Sequence, residues 1–356
     1  MRGELDRVLL AVVVALVALG TVMAYSTGLG MGLGSTLFKK HLAKAALGGI
    51  GMLIAYKLGC RRISSWAKGL LIPMDILLLG LLAIKAIHGG TVRWYKLGPF
   101  SLQPSEVAKL VLVLYVADFM ARKGEGLRDL RRGVLPIVVV CGVSLALISL
   151  EPDLGTTVAL GTILGGMLFV GGVRLKHILV MVSAAFVTLI VVVFVFGYGK
   201  TRVLPLLGKD DEEARRARYQ MEQSLVALGG GGVLGRGLGK GIQKHWFLPE
   251  PHTDFVFSVV GEELGFLGTL GILGAFVLYG LRGINIARRA DETRTFFVAV
   301  GLTLMVEVYA LLNIAVATGV LPTTGLPLPF VSYGGTSLVV NLVGSGMLLD
   351  ASRRMG

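Results

Sequence analysis

Apolar residues run along this chain in long blocks, and polar residues gather in the gaps between them. A helix needs about 20 mostly apolar residues to cross the hydrocarbon core of a bilayer. Ten blocks approach that length, at about 8–26, 42–58, 68–88, 104–121, 134–150, 154–173, 177–198, 255–281, 295–318 and 334–351. The second and fourth are short, and only Glu151-Pro152-Asp153 separates the fifth from the sixth. The pattern predicts an all-α polytopic membrane protein of about ten transmembrane helices, read as a single domain over residues 1–356. The first run, Val8 to Ala24, lacks a convincing small-x-small cleavage site and is followed by many spans. It is therefore read as a retained span and not as a signal peptide.

One gap is long, at about 199–253, and long loops in compact proteins are usually functional or disordered. Asp210-Asp211-Glu212-Glu213 has the acidic character of a helix start. Tyr219, Gln223 and Val226, with Leu225 and Leu228, then place an apolar stripe on one face, which suits an interfacial helix. A glycine-rich run follows, Gly229 to Gly241. Gly230, Gly232 and Gly235 match G-x-G-x-x-G, but no strand precedes them, so the dinucleotide reading fails on context. Lys240 is followed by Gly241 and makes no phosphate-binding P-loop either. Two readings stay open: a flexible loop, or a concavity in which glycine N–H groups with Arg236, Lys240 and Lys244 hold a phosphate.

Composition agrees with lipid as the solvent: 54% of residues are hydrophobic and 16% charged. A soluble domain has no way to hide that much apolar surface. The net charge of +13 would suit nucleic acid, yet no stretch interleaves aromatic and basic residues as such a surface does. Instead the basic residues sit in short loops, mostly on one side. Arg61, Arg62, Arg122, Lys123, Arg131, Arg132, Arg288 and Arg289 fall there, and only Lys39, Lys40, Arg93 and Lys96 fall in short loops opposite. The bias puts the N- and C-termini in the cytoplasm and the long loop outside. Cys60 and Cys141 have no metal or redox spacing and are expected as free thiols.

Ionisable groups inside spans are expensive and usually pair or line a cavity. Asp75, Lys85 and Glu307 are such groups. Glu106 and Lys109 stand i and i+3 on one helix face and are expected to pair, either as mutual neutralisation or facing a cavity. Upstream of them, Trp94 and Tyr95 suit interface anchors, and Pro104 suits a helix start. Asp153 either caps the sixth span or points into an outer cleft. Pro249 and Pro251 end any earlier helix, so Asp254 is expected in or beside the first turn of the eighth span, at the water–lipid boundary. Glu262 falls near the same helix face (i, i+4, i+8) and is expected to support Asp254 from below.

The run from Asn313 to Ser337, with Gly319, Pro322, Gly325, Pro327, Pro329 and Ser332-Tyr333-Gly334-Gly335-Thr336-Ser337, resembles the signature of the SEDS family (shape, elongation, division, sporulation). Gln103-Pro104-Ser105-Glu106 and Glu151-Pro152-Asp153-Leu154-Gly155-Thr156 resemble its other blocks, and the resemblance covers essentially the whole chain. Within the family, the block from Arg93-Trp94 to Glu106 and the short termini resemble the elongation branch more than the division branch. The resemblance implies a ten-span glycosyltransferase of the bacterial cytoplasmic membrane that polymerises lipid II, with a fold similar to that of O-antigen ligases. It implies a class B penicillin-binding protein as transpeptidase partner, with other elongation-complex proteins possible and no nucleic acid. It places the family's essential acid on Asp254 and its buried ion pair on Glu106 and Lys109. It also suggests a divalent cation, Mg²⁺ or Mn²⁺, and no organic cofactor.

Such a reaction joins a sugar hydroxyl to C1 of another sugar with inversion and expels a lipid pyrophosphate. It needs a base near the hydroxyl and positive charge near the phosphates. Asp254 suits the base. A helix start and nearby cations lower a carboxylate's pKa, however, so Asp254 equally suits a metal ligand that clamps the pyrophosphate; His252 is the alternative base. Candidate supports of the substrate cavity are Glu106, Lys109, Asp153, Glu262, Arg93, Lys240 and Lys244. A lipid II flippase is the competing reading, and a non-catalytic scaffold is the third. Acids and prolines cluster on one side, which favours chemistry at one surface. The eighth and ninth spans are expected to face the partner.

Overall fold

The computed structural model describes residues 5–30, 32–90, 92–98, 100–194, 212–245 and 247–354. Eleven α-helices occur among them: α1 Arg7–Leu29, α2 Gly34–Leu58, α3 Cys60–His88, α4 Pro104–Lys123, α5 Leu135–Leu150, α6 Leu154–Val170, α7 Leu175–Phe194, α8 Glu212–Gly230, α9 Val256–Arg288, α10 Thr293–Ala317 and α11 Gly335–Ser352. Ten of them lie on the ten apolar blocks, and α8 lies in the long loop. Five helical segments of the described residues are long and apolar enough to cross a membrane by length and composition. The acidic start expected at Asp210-Asp211 and the end of the seventh block beyond residue 194 lie outside the described residues.

Helix α2 begins well before its apolar block. Its first turns carry Lys39, Lys40, His41 and Lys44, which hide a helix from a hydropathy count. Between α3 and α4 lies a feature the sequence reading lacked: a two-stranded antiparallel hairpin, β1 Tyr95–Leu97 and β2 Phe100–Leu102. Tyr95 pairs with Leu102 and Lys96 with Ser101, and Gly98 at the turn takes φ +61°. The hairpin is tied down by Tyr95, whose hydroxyl donates to Leu77 O at 2.8 Å, and by Trp94, whose Nε1 donates to Gln103 Oε1 at 3.1 Å.

Helices α4, α10 and α11 form the centre. Every residue of α4 from Val111 to Asp118 is buried, and α11 is buried from Gly344 to Ser352. The outer helices expose apolar side chains instead: Ile72 and Ile87 on α3, Val180 on α7, Val277 and Leu281 on α9. An apolar exterior around a packed interior is the arrangement lipid demands. On the face that the charge bias assigns to the cytoplasm, buried acids hold basic residues. Asp6 pairs with Arg282 (2.7 Å), Asp118 with Arg122 (2.8 Å) and Arg294 (2.9 Å), and Asp350 with Arg354 (2.9 Å).

Helix α9 is broken at Gly265, which takes φ 70° and ψ −165°. A break frees backbone groups that need partners, and the glycine-rich loop supplies them. Arg236 N and Gly237 N donate to the carbonyls of Glu262 and Glu263, both at 3.0 Å, and Phe266 N donates to Gly232 O at 2.8 Å. A Cβ on Gly265 would collide with Gly235 N, and one on Gly231 with Gly261 O. The loop and the break are one structure.

Helix α8 packs on the protein through small residues and leaves much of the expected apolar stripe outward, as an interfacial helix does. Ser224 and Ala227 are buried, while Tyr219, Leu225 and Val226 are exposed. Small residues let α8 sit closely on α9 and α10: Ser224 Oγ meets Ser258 Oγ at 2.6 Å and donates to Ala317 O at 2.7 Å. The larger apolar side chains turn outward.

Candidate functional site

Residues 249–255 form turns, and α9 starts at Val256 with Phe255 as its N-cap. Asp254 therefore precedes the cap and is half-buried. Its neighbourhood is held by the last turns of α10 and the loop that follows them. Tyr333 N donates to His252 O at 2.8 Å. Ser332 Oγ donates to Thr253 O and accepts from Leu328 N at 2.8 Å. Asn313 Nδ2 donates to Asp254 O at 2.9 Å and to Leu326 O at 2.7 Å. Three consecutive carbonyls, those of residues 252, 253 and 254, are thus each fixed from the same distant segment.

Beneath this clamp lies a buried charge cluster. Lys109 Nζ and Glu106 Oε2 are 2.7 Å apart, with side chains 0% and 2% exposed. The Lys109 ammonium also sits 3.9 Å from the centre of the Tyr309 ring, a favourable place for a desolvated cation. Asp153 is buried and caps α6 by accepting from Thr156 N, so of the two expectations for it the capping one holds. Burial pushes its carboxyl up, and the neighbouring Glu106 charge acts the same way.

Glu151 is buried as well, and neither of its carboxylate oxygens has a hydrogen-bond partner among the described residues. Burial first, and the Asp153 charge second, push it up to about 8. The turn carrying both acids is pinned by cations through its backbone. Arg93 Nε donates to Glu151 O at 3.3 Å and its Nη2 donates to Pro152 O, while Lys85 Nζ donates to Leu150 O at 2.9 Å. Arg93 is thereby a brace of the acidic turn. Of the two acids in this turn the sequence singles out only Asp153, as a helix cap; Glu151, beside Pro152, carries no periodic or capping signal of its own.

The last group was also missed. Lys44 Nζ lies 4.1 Å from the centre of the Tyr333 ring, and His252 and His41 flank the same ring at centroid distances of 5.7 and 6.0 Å. Burial lowers the pKa of His252, so it is neutral near pH 7. Lys44 stood at the edge of a short apolar block in the sequence, where nothing marks it as part of a site.

Two sequence expectations need correction. Glu262 does not underlie Asp254, because the helix on which that face was drawn begins after Asp254. Its carboxylate accepts from Ile242 N at 2.8 Å and Gln243 N at 3.1 Å. Lys244 does not reach outward from a phosphate cradle. It is buried, ion-paired to Glu263, and donates to Ser26 Oγ at 2.9 Å. Glu263 also accepts from Gly239 N at 3.0 Å. The anions that the glycine loop binds are the chain's own Glu262 and Glu263. Lys240 remains exposed on that loop.

A metal held by protein alone does not fit: no three His, Cys, Asp or Glu side chains converge among the described residues. The residues fit only an ion shared between the Asp254 carboxylate, water and a ligand's phosphates, the usual manner for Mg²⁺.

Comparison with known proteins gives a consistent result. The family model for FtsW, RodA and SpoVE, described as cell cycle protein, matches residues 6–355. A probable peptidoglycan glycosyltransferase FtsW from Geobacter metallireducens is 38% identical over 98% of this chain and 95% of its own length. The crystal structure of the rod shape determining protein RodA of Thermus thermophilus superposes with a TM-score of 0.72 at 28% identity, covering 98% of this chain and 97% of that one. A chain from a structure titled as the structural coordination of polymerization and crosslinking by a peptidoglycan synthase complex reaches a TM-score of 0.78 at 29% identity, with 98% of both chains covered.

Proposed function

The chain belongs to the FtsW, RodA and SpoVE family of SEDS peptidoglycan glycosyltransferases, and we propose that it polymerises lipid II with Asp254 as the base. The observation that carries this reading is the clamp on residues 252–254. A carboxylate that must meet a sugar hydroxyl at a set distance needs a rigid backbone, and each carbonyl of this segment is hydrogen-bonded to the 313–333 region.

In the proposed reaction the acceptor sugar's 4-hydroxyl gives its proton to the Asp254 carboxylate. Its oxygen forms the new bond to C1 of the donor sugar from the face opposite the phosphate. The C1–O bond breaks, and its electron pair leaves with undecaprenyl pyrophosphate. The α-linked donor gives a β-linked product, so one inverting displacement suffices, and pyrophosphate needs no acid to leave once its charge is neutralised. Lys240, exposed on the glycine loop, is the cation we assign to that neutralisation. The buried Glu106–Lys109 pair, Asp153 and Arg93 act by positioning: they hold α4, the acidic turn and α10 in register beneath the clamp. A divalent cation shared with Asp254 would neutralise phosphate charge.

The membrane is the bacterial cytoplasmic one, with both termini in the cytoplasm, on the strength of the positive-inside bias. A class B penicillin-binding protein as partner is supported by the likeness to a chain of a peptidoglycan synthase complex. For the cellular role, the 93–106 block and the likeness to RodA support elongation, while the FtsW-named relative at 38% identity supports division. Localisation of a fluorescent fusion separates them: lateral patches mean elongation, and a midcell band means division. The flippase reading is tested in vesicles carrying lipid II on one leaflet, where transfer without polymer would replace the polymerase proposal.

A further inference from the structure

Among the described residues, buried and half-buried cations find carboxylate or carbonyl partners: Lys109 has Glu106, Lys244 has Glu263, Arg282 has Asp6, and Lys85 has Leu150 O. Lys44 differs. It is half-buried and forms no ion pair among the described residues. Its ammonium lies over the Tyr333 ring and against the start of α11, where a methyl group built on Gly335 would come within 3.2 Å of Nζ.

That helix start is itself electropositive. The N-terminus of an 18-residue helix presents unpaired N–H groups and the positive end of its dipole, and α11 has Gly334 at its N-cap with no side chain to accept from them. An ammonium beside a bare helix N-terminus is a repulsive pairing unless an anion sits between them. A second observation points the same way. His41, one turn before Lys44 on α2, is 0% exposed, and both its ring nitrogens lack a hydrogen-bond partner among the described residues although it lies against the same Tyr333 ring. Neutral His252 lies on the ring's other flank. The carboxylate nearest that flank is Glu250, which is exposed and reaches His252 Nε2 at 3.9 Å, and no ion pair links it to Lys44 among the described residues.

We propose that Lys44, Tyr333 and the N-terminus of α11 form an anion subsite beside Asp254 that takes the pyrophosphate of a polyprenyl-linked sugar. The Tyr333 amide bonds the His252 carbonyl, so the subsite and the base sit on the same clamp. The proposal rests on the polymerase reading for the identity of the lipid; the anion site itself does not depend on it.

The test is binding of farnesyl pyrophosphate to the full chain in phosphatidylcholine nanodiscs, with Lys44→Ala and Lys44→Arg. Alanine is expected to weaken binding at least about tenfold, and arginine to keep most of it, since one charge-assisted contact of this kind is worth about 1.5–3 kcal/mol. An unchanged affinity in Lys44→Ala, with unaltered thermal unfolding, overturns the subsite. Inorganic pyrophosphate binding as tightly as the farnesyl compound overturns the lipid-linked assignment, as does displacement of the probe by phosphatidylglycerol. Lipid II polymerisation is measured in parallel. If wild type fails to polymerise while Lys44→Ala still loses farnesyl pyrophosphate, the polymerase reading falls and the anion site stands. If Lys44→Ala polymerises at the wild-type rate, the subsite falls and the reading stands.

Discussion

Tyr309 and Asn313 stand one turn apart on α10, and each holds one half of the site. The Tyr309 ring lies 3.9 Å below the Lys109 ammonium, and the Asn313 amide donates to the Asp254 carbonyl at 2.9 Å. Residues four apart share a helix face, so a single rigid element relates the buried ion pair to the clamped acid.

Asn313→Ala should therefore damage catalysis without removing a group that touches substrate. Losing the bonds to Asp254 O and Leu326 O lets the acid drift, and a shift of about 1 Å costs on the order of a hundredfold in kcat with KM little changed. Asn313→Asp, which lacks the amide donor, should match alanine. A steady-state polymerisation assay reads both; a rise in KM at unchanged kcat would make Asn313 a binding residue instead.

Lys109→Met leaves the Glu106 carboxylate buried without its counter-charge, which costs about 3–5 kcal/mol. A lower thermal midpoint and loss of activity are expected together. The double variant Glu106→Gln, Lys109→Met removes both charges and should recover much of the stability. If it is as unstable as the single variant, the pair is not a coupled unit.

These helices were legible in the sequence because lipid imposes a fixed length on apolar blocks. Glu106 and Lys109 were legible because charge at membrane depth is rare, and Asp254 because two prolines set it at a span's start and the family resemblance fell on it. The rest depends on contacts far apart in the chain, which no local pattern encodes. Asn313 reaches back to Asp254, the loop at 231–244 answers the break at Gly265, and Lys44 meets Tyr333. The glycine run shows the limit most clearly. Its composition correctly signals anion binding by backbone N–H groups, but the anions are Glu262 and Glu263 of the same chain.

Glu151 predicts a pH dependence. Its carboxyl is raised from 4.5 to about 8 by burial and by Asp153, against the opposing charges of Arg93 and Lys85. The folded chain thus keeps a proton that the unfolded chain releases. Its contribution to stability is full below about 4.5, falls as pH rises, and levels off above about 8. Glu151→Gln should flatten this slope, raising the thermal midpoint at pH 8 more than at pH 5.5. An equal shift at both values would assign the slope to another group.

Gly265→Ala tests the pairing of loop and helix break. The backbone there has φ 70°, and a side chain in that region costs about 1–3 kcal/mol even before it meets Gly235. The expected result is a lower unfolding midpoint and faster protease cleavage within 231–244. Protection equal to wild type would mean that the loop does not depend on the break.

The central claim is that Asp254 removes the proton that starts glycan polymerisation. The most direct measurement follows purified lipid II into polymer with wild type and Asp254→Asn, each with Mg²⁺, with Mn²⁺ and with chelator. The variant should bind lipid II and melt at the wild-type temperature, yet its polymer yield should fall by at least about a hundredfold, within the 10²–10⁴ range of a lost general base. Polymer made by Asp254→Asn at the wild-type rate would contradict the account.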